Sequence, residues 1–263
     1  MNPIVIAPTT LMKLAPVEYI EHAARAGYDG IGLRLYASPG MPFFPTVGDP
    51  AAEAKVKQVA RDAGIPILEI FTCYLTEDMD LDAMKRAHEF GAELGAKWAL
   101  VIGDDENWDR MVQNFGTLCD NAKALGLTAS LEVPVNSRKL NTLELNKKLV
   151  DDSGRENVCF SIDPVQYHRS GGTVEQLKAL DPKFFPYTQI CDTKAARPEP
   201  YCMPGEGIVP LKEMLDIMPE GLPLSLEYHY REQPGYTTDQ WAKYVLDGTR
   251  AYLESYYAEK AKA

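Results

Sequence analysis

Four polar side chains stand at the ends of short apolar runs in the second half of the chain: Glu132, Asp163, Gln189 and Glu227. Three of them share a frame of a Ser, one apolar residue and a carboxylate, in Ser130-Leu131-Glu132, Ser161-Ile162-Asp163 and Ser225-Leu226-Glu227. In an extended segment the Ser and the acid lie on one face and the residue between them on the other. Successive members are separated by roughly one strand-plus-helix unit of ~30 residues. A single strand-end acid reads most simply as a helix cap or a loop hydrogen bond, whereas three in one frame read as a site. Two unit charges ~4 Å apart repel by about 4 kcal/mol at an effective dielectric of 20. Converging carboxylates must therefore stay partly protonated or hold a cation between them. A divalent ion is the more economical answer. Three carboxylates and an amide oxygen make a hard donor set that favours Mg²⁺ or Mn²⁺ over Zn²⁺.

Residues so far apart meet only if the intervening chain folds into repeating units. Apolar, β-rich runs fall at 4–7, 30–35, 67–71, 98–102, 128–133, 158–162, 187–191 and 224–227. Amphipathic stretches between them predict helices at 16–26, 50–63, 78–94, 106–125, 141–152, 173–180, 209–217 and 238–258. Gly27, Gly64, Gly95 and Gly126 each follow a helical pattern, where a left-handed C-cap belongs. Thr173 opens a capping box with Gln176. Runs such as Trp98-Ala99-Leu100-Val101-Ile102 are nearly all apolar, as parallel strands buried on both faces must be. Eight such units predict a (β/α)8 TIM barrel, one domain over residues 1–263. An open doubly wound sheet is the alternative, but no G-x-G-x-x-G follows the first strand. A barrel carries its site at the C-terminal strand ends, where the four polar residues fall. The small Ser beneath each acid leaves room there.

Composition narrows the partners. The chain has 263 residues, with 27 Lys plus Arg against 38 Asp plus Glu, for a net charge of −11. Such an acidic surface repels phosphate backbones and anionic lipid, so neither nucleic acid nor membrane is expected as a partner. Five cysteines without C-x-x-C spacing point to a reducing compartment, and no basic and apolar leader pattern opens the sequence. The expected location is cytoplasmic.

The pattern resembles the xylose isomerase-like barrels of the sugar phosphate isomerase/epimerase superfamily, which also contains endonuclease IV. The resemblance covers essentially the whole chain. It is strongest from 127 to 230, where Gln189-Ile190-Cys191-Asp192, Arg197 and Pro204-Gly205-Glu206-Gly207 look like the family's strand-seven segment and its loop. It implies one divalent metal held by Glu132, Asp163, Gln189 and Glu227, with Mn or Mg first and Co or Zn as further options. Gln in place of His is similar to the hydroxypyruvate isomerase branch. Where many members carry Asp-x-x-His after strand six, this chain has Gln166, with His168 two residues on. The three-metal site of endonuclease IV needs many histidines, and this chain has only His22, His88, His168 and His229, of which His22 and His88 read as solvated helix positions.

The resemblance implies isomerisation or epimerisation of a sugar or sugar-derived keto-acid, by proton transfer through a metal-bound cis-enediolate. Glu132 and Glu227 are the candidate proton carriers. His168 and Arg197 are candidate substrate contacts. The same residues would serve a dehydratase or lyase of a keto-polyol, and a barrel that only binds its ligand is the non-enzymatic alternative. Asp192 has the wrong parity to share a face with Gln189, which assigns it to a neighbouring loop. Glu69, with Ile67 and Phe71 as face-mates, is left as a buried partner or a pocket contact. Tyr36, Phe43, Tyr74, Tyr201 and Tyr228 follow strand ends and would wall a pocket. The last helix carries Trp241, Tyr244, Val245 and Leu253, for a contact between copies of the chain or for closing the barrel.

Overall fold

Apolar pentads and hexads that cannot face water on either side become the staves of one sheet. In the computed structural model, which describes residues 2–195, 200–228 and 235–262, they are β1 (Ile4–Ile6), β2 (Gly30–Arg34), β3 (Ile67–Leu75), β4 (Trp98–Gly103), β5 (Thr128–Glu132), β6 (Val158–Ser161) and β7 (Thr188–Ile190). A short antiparallel pair follows, β8 (Asp192–Thr193) with β9 (Tyr201–Cys202), and then the last barrel strand β10 (Leu224–Leu226). The eight long-range partners are all parallel and run β6-β5-β4-β3-β2-β1-β10-β7. The ring is a nearly closed (β/α)8 barrel. Its two end strands are joined by Gln189 N–H donating to the Ile162 carbonyl at 3.1 Å and by the Thr188 hydroxyl donating to the same oxygen at 2.9 Å.

The helices α1 (Pro16–Ala26), α2 (Pro50–Ala63), α3 (Leu81–Glu93), α4 (Trp108–Ala124), α5 (Leu143–Ser153), α6 (Pro164–Arg169), α7 (Val174–Lys178), α8 (Leu211–Ile217) and α9 (Thr238–Lys260) fill the connections. Gly27 and Gly126, at φ 90° and 74°, end α1 and α4 in the left-handed region that only glycine enters cheaply. Thr173 caps α7 with Gln176 in a capping box. Helix α6 is an addition to the predicted order. Asp163 accepts the Gln166 N–H at 2.9 Å, and Pro164 presets the first helical φ, so the chain turns helical as soon as β6 ends.

Alternation sorts the side chains. Leu131, Ile162 and Leu226 are fully buried against the helices, while Ser130, Ser161 and Ser225 are fully buried inside the barrel. Trp241, Val245 and Leu253 are also buried, so the apolar face of α9 closes the barrel, while Tyr244 stays exposed. His88 is not a solvated helix residue: it is wholly buried, and the edge of the Tyr36 ring packs on it at 6.0 Å. No helix among the described residues is long and apolar enough to cross a membrane.

Candidate active site

All four predicted residues sit at the C-terminal mouth of the barrel, each nearly removed from solvent. Glu132 ends β5, Asp163 follows β6, Gln189 is the centre of β7 and Glu227 follows β10. Their hydrogen bonds differ. Glu227 accepts the Thr9 hydroxyl at 2.9 Å on one oxygen and the Gln189 side-chain amide on the other. Asp163 accepts the Gln166 N–H and the Cys191 thiol (3.2 Å) on Oδ1, and the Tyr201 hydroxyl (2.8 Å) on Oδ2. Asp163 is therefore a helix cap as well as a member of the cluster. Glu132 accepts no hydrogen bond among the described residues. Burial first, then the fields of Glu227, Asp163 and Glu69, push its carboxyl well above the usual carboxylate range.

Beside these acids lies a polar cavity of about 220 Å³, lined by Glu132, Glu227, Arg34, Tyr74, Asn136 and Gln166 among others. Among the described residues, Arg34 is a cation that lines this cavity and feels the field of Glu227. Desolvation lowers its affinity for a proton and Glu227 opposes that, raising it. The Tyr74 phenol is held above its ordinary range by burial and by Glu132 and Glu227. His168 is half-buried on α6 and is absent from the cavity wall, where Gln166 stands instead, its side chain donating to the Tyr201 hydroxyl at 3.0 Å. Arg197 lies outside the described residues, as does His229.

The layer beneath the mouth is filled. Glu69 on β3 points inward and accepts the Ser225 hydroxyl at 2.5 Å, while its Oε2 is buried without a hydrogen bond. Tyr187, stacked on Trp98 with ring centroids 4.4 Å apart, brings its hydroxyl near Glu69, Ser130 and Ser161 but within hydrogen-bond geometry of none of them. Burial raises the Glu69 carboxyl to about 8, the Ser225 hydrogen bond opposes the rise, and Glu227 adds to it. The room that the small Ser residues leave is thus taken up by Glu69 and Tyr187.

Among the described residues, no three His, Cys, Asp or Glu side chains are posed as a ready-made metal cluster. Asp163 and Glu227 each accept hydrogen bonds from neutral protein donors. The donor chemistry nonetheless fits a hard cation. The Gln189 carbonyl oxygen is buried without a partner, Glu132 accepts no hydrogen bond among the described residues, and three carboxylates crowd the site, with Arg34 on the cavity wall.

Tyr74, expected from its strand-end position to wall a pocket, does so, and Gln166 stands where the family's His was expected, whereas Arg34 was not singled out from the sequence. The period-two spacing of Gly32 and Arg34 on β2 is the signal that would have found Arg34, since it puts both on one face. Asp192, buried, accepts Gly205 and Gly207 N–H at 3.0 Å each, Val209 N–H at 3.1 Å and Thr193 N–H at 2.8 Å, and so orders the loop after β9.

The chain is 27% identical over 153 residues to the inosose isomerase of Bacillus velezensis, an alignment covering 55% of each, so it spans about half the length of that curated relative. A solved structure described as the IOLI protein with a bound zinc atom superposes with TM-score 0.77 at 20% identity, covering 97% of this chain and 99% of that one. The structure of an L-ribulose 3-epimerase superposes with TM-score 0.72 at 17% identity, covering 100% and 99%. A family model for the xylose isomerase-like TIM barrel matches residues 20–252, and with the geometry above it establishes that this chain belongs to that family, within the sugar phosphate isomerase/epimerase superfamily.

Proposed function

We propose that the protein is an isomerase or epimerase of a small keto-polyol, working with one divalent ion held by Glu132, Asp163, Gln189 and Glu227. The observation that carries this reading is Glu132, a buried carboxyl that accepts no hydrogen bond among the described residues, at the wall of a polar cavity and among acids that raise its proton affinity. The isomerase and epimerase relatives support the reaction class. When bound, the ion would act as a Lewis acid toward the substrate's carbonyl and adjacent hydroxyl, an effect worth several kcal/mol.

This chain's own groups do the rest. A carboxyl whose proton affinity is raised by burial and by neighbouring acids is suited to moving a proton to and from carbon, an effect of ~10²–10⁴-fold. Glu132 takes the proton next to the carbonyl. Glu227, fixed by Thr9 and Gln189, serves the opposite face of the substrate. Returning the proton to the same carbon from the other side inverts it, and returning it to the neighbouring carbon isomerises. Arg34, Asn136 and Gln166 offer donors to the hydroxyls, and the body of Tyr74 limits water.

The test is incubation of the Mn²⁺- or Mg²⁺-loaded protein with a panel of ketoses in deuterium oxide, followed by NMR. Deuterium should enter at the carbon beside the carbonyl, and a chelator should abolish the exchange and lower the unfolding temperature. No exchange with any ketose, together with no metal by elemental analysis and no chelator shift, would leave a barrel that only binds a ligand.

A further inference from the structure

A second cavity, of about 460 Å³, adjoins the first on the side of β2 and β3. Its character is opposite. Leu35, Tyr36, Phe43, Val47, Met79 and Met84 are among the residues of its wall, and the Cys73 thiol faces Met84 sulfur at 2.9 Å. Asp78, Asp80 and Arg86, which also line it, are exposed and mark its open side. Tyr74 lines both cavities. Its hydroxyl lies in the field of Glu132 and Glu227, so the polar end of the residue belongs to the catalytic side, while its ring also borders the apolar space. The segment after β2 serves both as well, with Ser38 and Met41 on the polar cavity and Ala37, Pro39 and Phe43 on the apolar one. Phe43 is 37% exposed. An apolar cavity of about 150 Å³ is already enough to take up benzene. This one is larger, and it shares Tyr74 with the cavity that the proposed proton-moving carboxylates line.

We infer that the substrate of this enzyme is a keto-polyol that carries an apolar group of aromatic-ring size, seated in the cavity between β2, β3 and the start of α3 while the keto-polyol end lies at Glu132 and Glu227. The inference rests on the proposed function for the second half of that statement and on the cavity alone for the first. Apolar surface drives the appended group out of water, and the binding energy of a remote group holds the reacting carbon in place. An unsubstituted sugar would fill only the polar half.

Two measurements separate the parts. The first is binding of benzyl alcohol by saturation-transfer NMR, which needs neither metal nor turnover. Wild type should bind it saturably. Ala83→Phe, which projects a ring into the cavity from α3, should weaken that binding at least tenfold, and so should Val47→Trp if the first variant fails to fold. The second is deuterium exchange with erythrulose and with its analogue bearing phenyl in place of the terminal hydroxyl. The analogue should exchange with at least tenfold higher kcat/KM, and Ala83→Phe should remove that advantage while leaving erythrulose unchanged. Equal kcat/KM for the two ketones in wild type, or an absence of benzyl alcohol binding, overturns the inference. Saturable benzyl alcohol binding that the variants block, with no exchange on either ketone, overturns the proposed reaction while the apolar binding site stands.

Discussion

Glu132 and Asp192 are both buried acids at strand ends, and their surroundings could hardly differ more. Asp192 spends its oxygens on four backbone N–H groups that tie down the loop through Val209. Glu132 accepts no hydrogen bond among the described residues, faces a polar cavity and lies in the field of other acids. Gly207 sharpens the contrast, since a Cβ there would lie 2.1 Å from Asp192 Oδ1 and leave the carboxylate no room to keep its bonds. An acid whose hydrogen bonds are all satisfied by the backbone is a fastener. An acid that faces a cavity and is repelled by its neighbours is available for chemistry.

The largest effect that would sharpen the comparison is Glu132→Gln. Exchange should fall ~10²–10⁴-fold, with unfolding stability unchanged or raised because a neutral amide replaces a repelled carboxyl. Full exchange in this variant would remove Glu132 from the proton-transfer role. Asp192→Asn should do the reverse: an amide NH₂ turned toward backbone donors should cost about 2–3 kcal/mol in urea unfolding, with kcat of the folded fraction nearly intact. A kcat loss matching that of Glu132→Gln, at unchanged stability, would erase the distinction. The smallest effect concerns Glu69. Its carboxyl rises from 4.5 to about 8 on folding, so the folded state holds its proton longer than the unfolded chain. Stability from this group is present in full below 4.5 and is lost as pH rises toward 8, by at most ~1.4 kcal/mol per pH unit. Glu69→Gln keeps an acceptor for Ser225 and should flatten that part of the profile. Identical urea profiles for wild type and variant between pH 5 and about 8 would refute the shift.

Most of the barrel was legible because parallel strands buried on both faces leave apolar runs that no surface strand would tolerate. The placement of Glu132, Asp163, Gln189 and Glu227 at one mouth follows from the same rule. What escaped the sequence is what depends on neighbours far along the chain. His88 stands beside Ala87 on a helix whose period gives no hint that Tyr36 arrives from a loop to cover it. Helix α6 was hidden because Asp163 was weighed as a ligand, although Asp163-Pro164 is also a helix-start signal. The layer below the mouth was misjudged: small Ser residues signal space, but only the register of β3 against its neighbours brings Glu69 into it. Arg34 was missed because a search for like-charged convergence passes over the residues that surround it.

The closure of the barrel has one more consequence. At the junction of β6 and β7 one carbonyl, that of Ile162, receives two donors, and the Cys191 thiol donates to Asp163 beside it. Asp163 is the next residue on one side of this junction, and Gln189 is itself one of the donors on the other. Opening of the ring at this joint would change the separation of these two side chains. Whatever draws Asp163 and Gln189 together also latches the cylinder, so occupancy of the mouth and slow amide exchange at Gln189 should rise and fall as one.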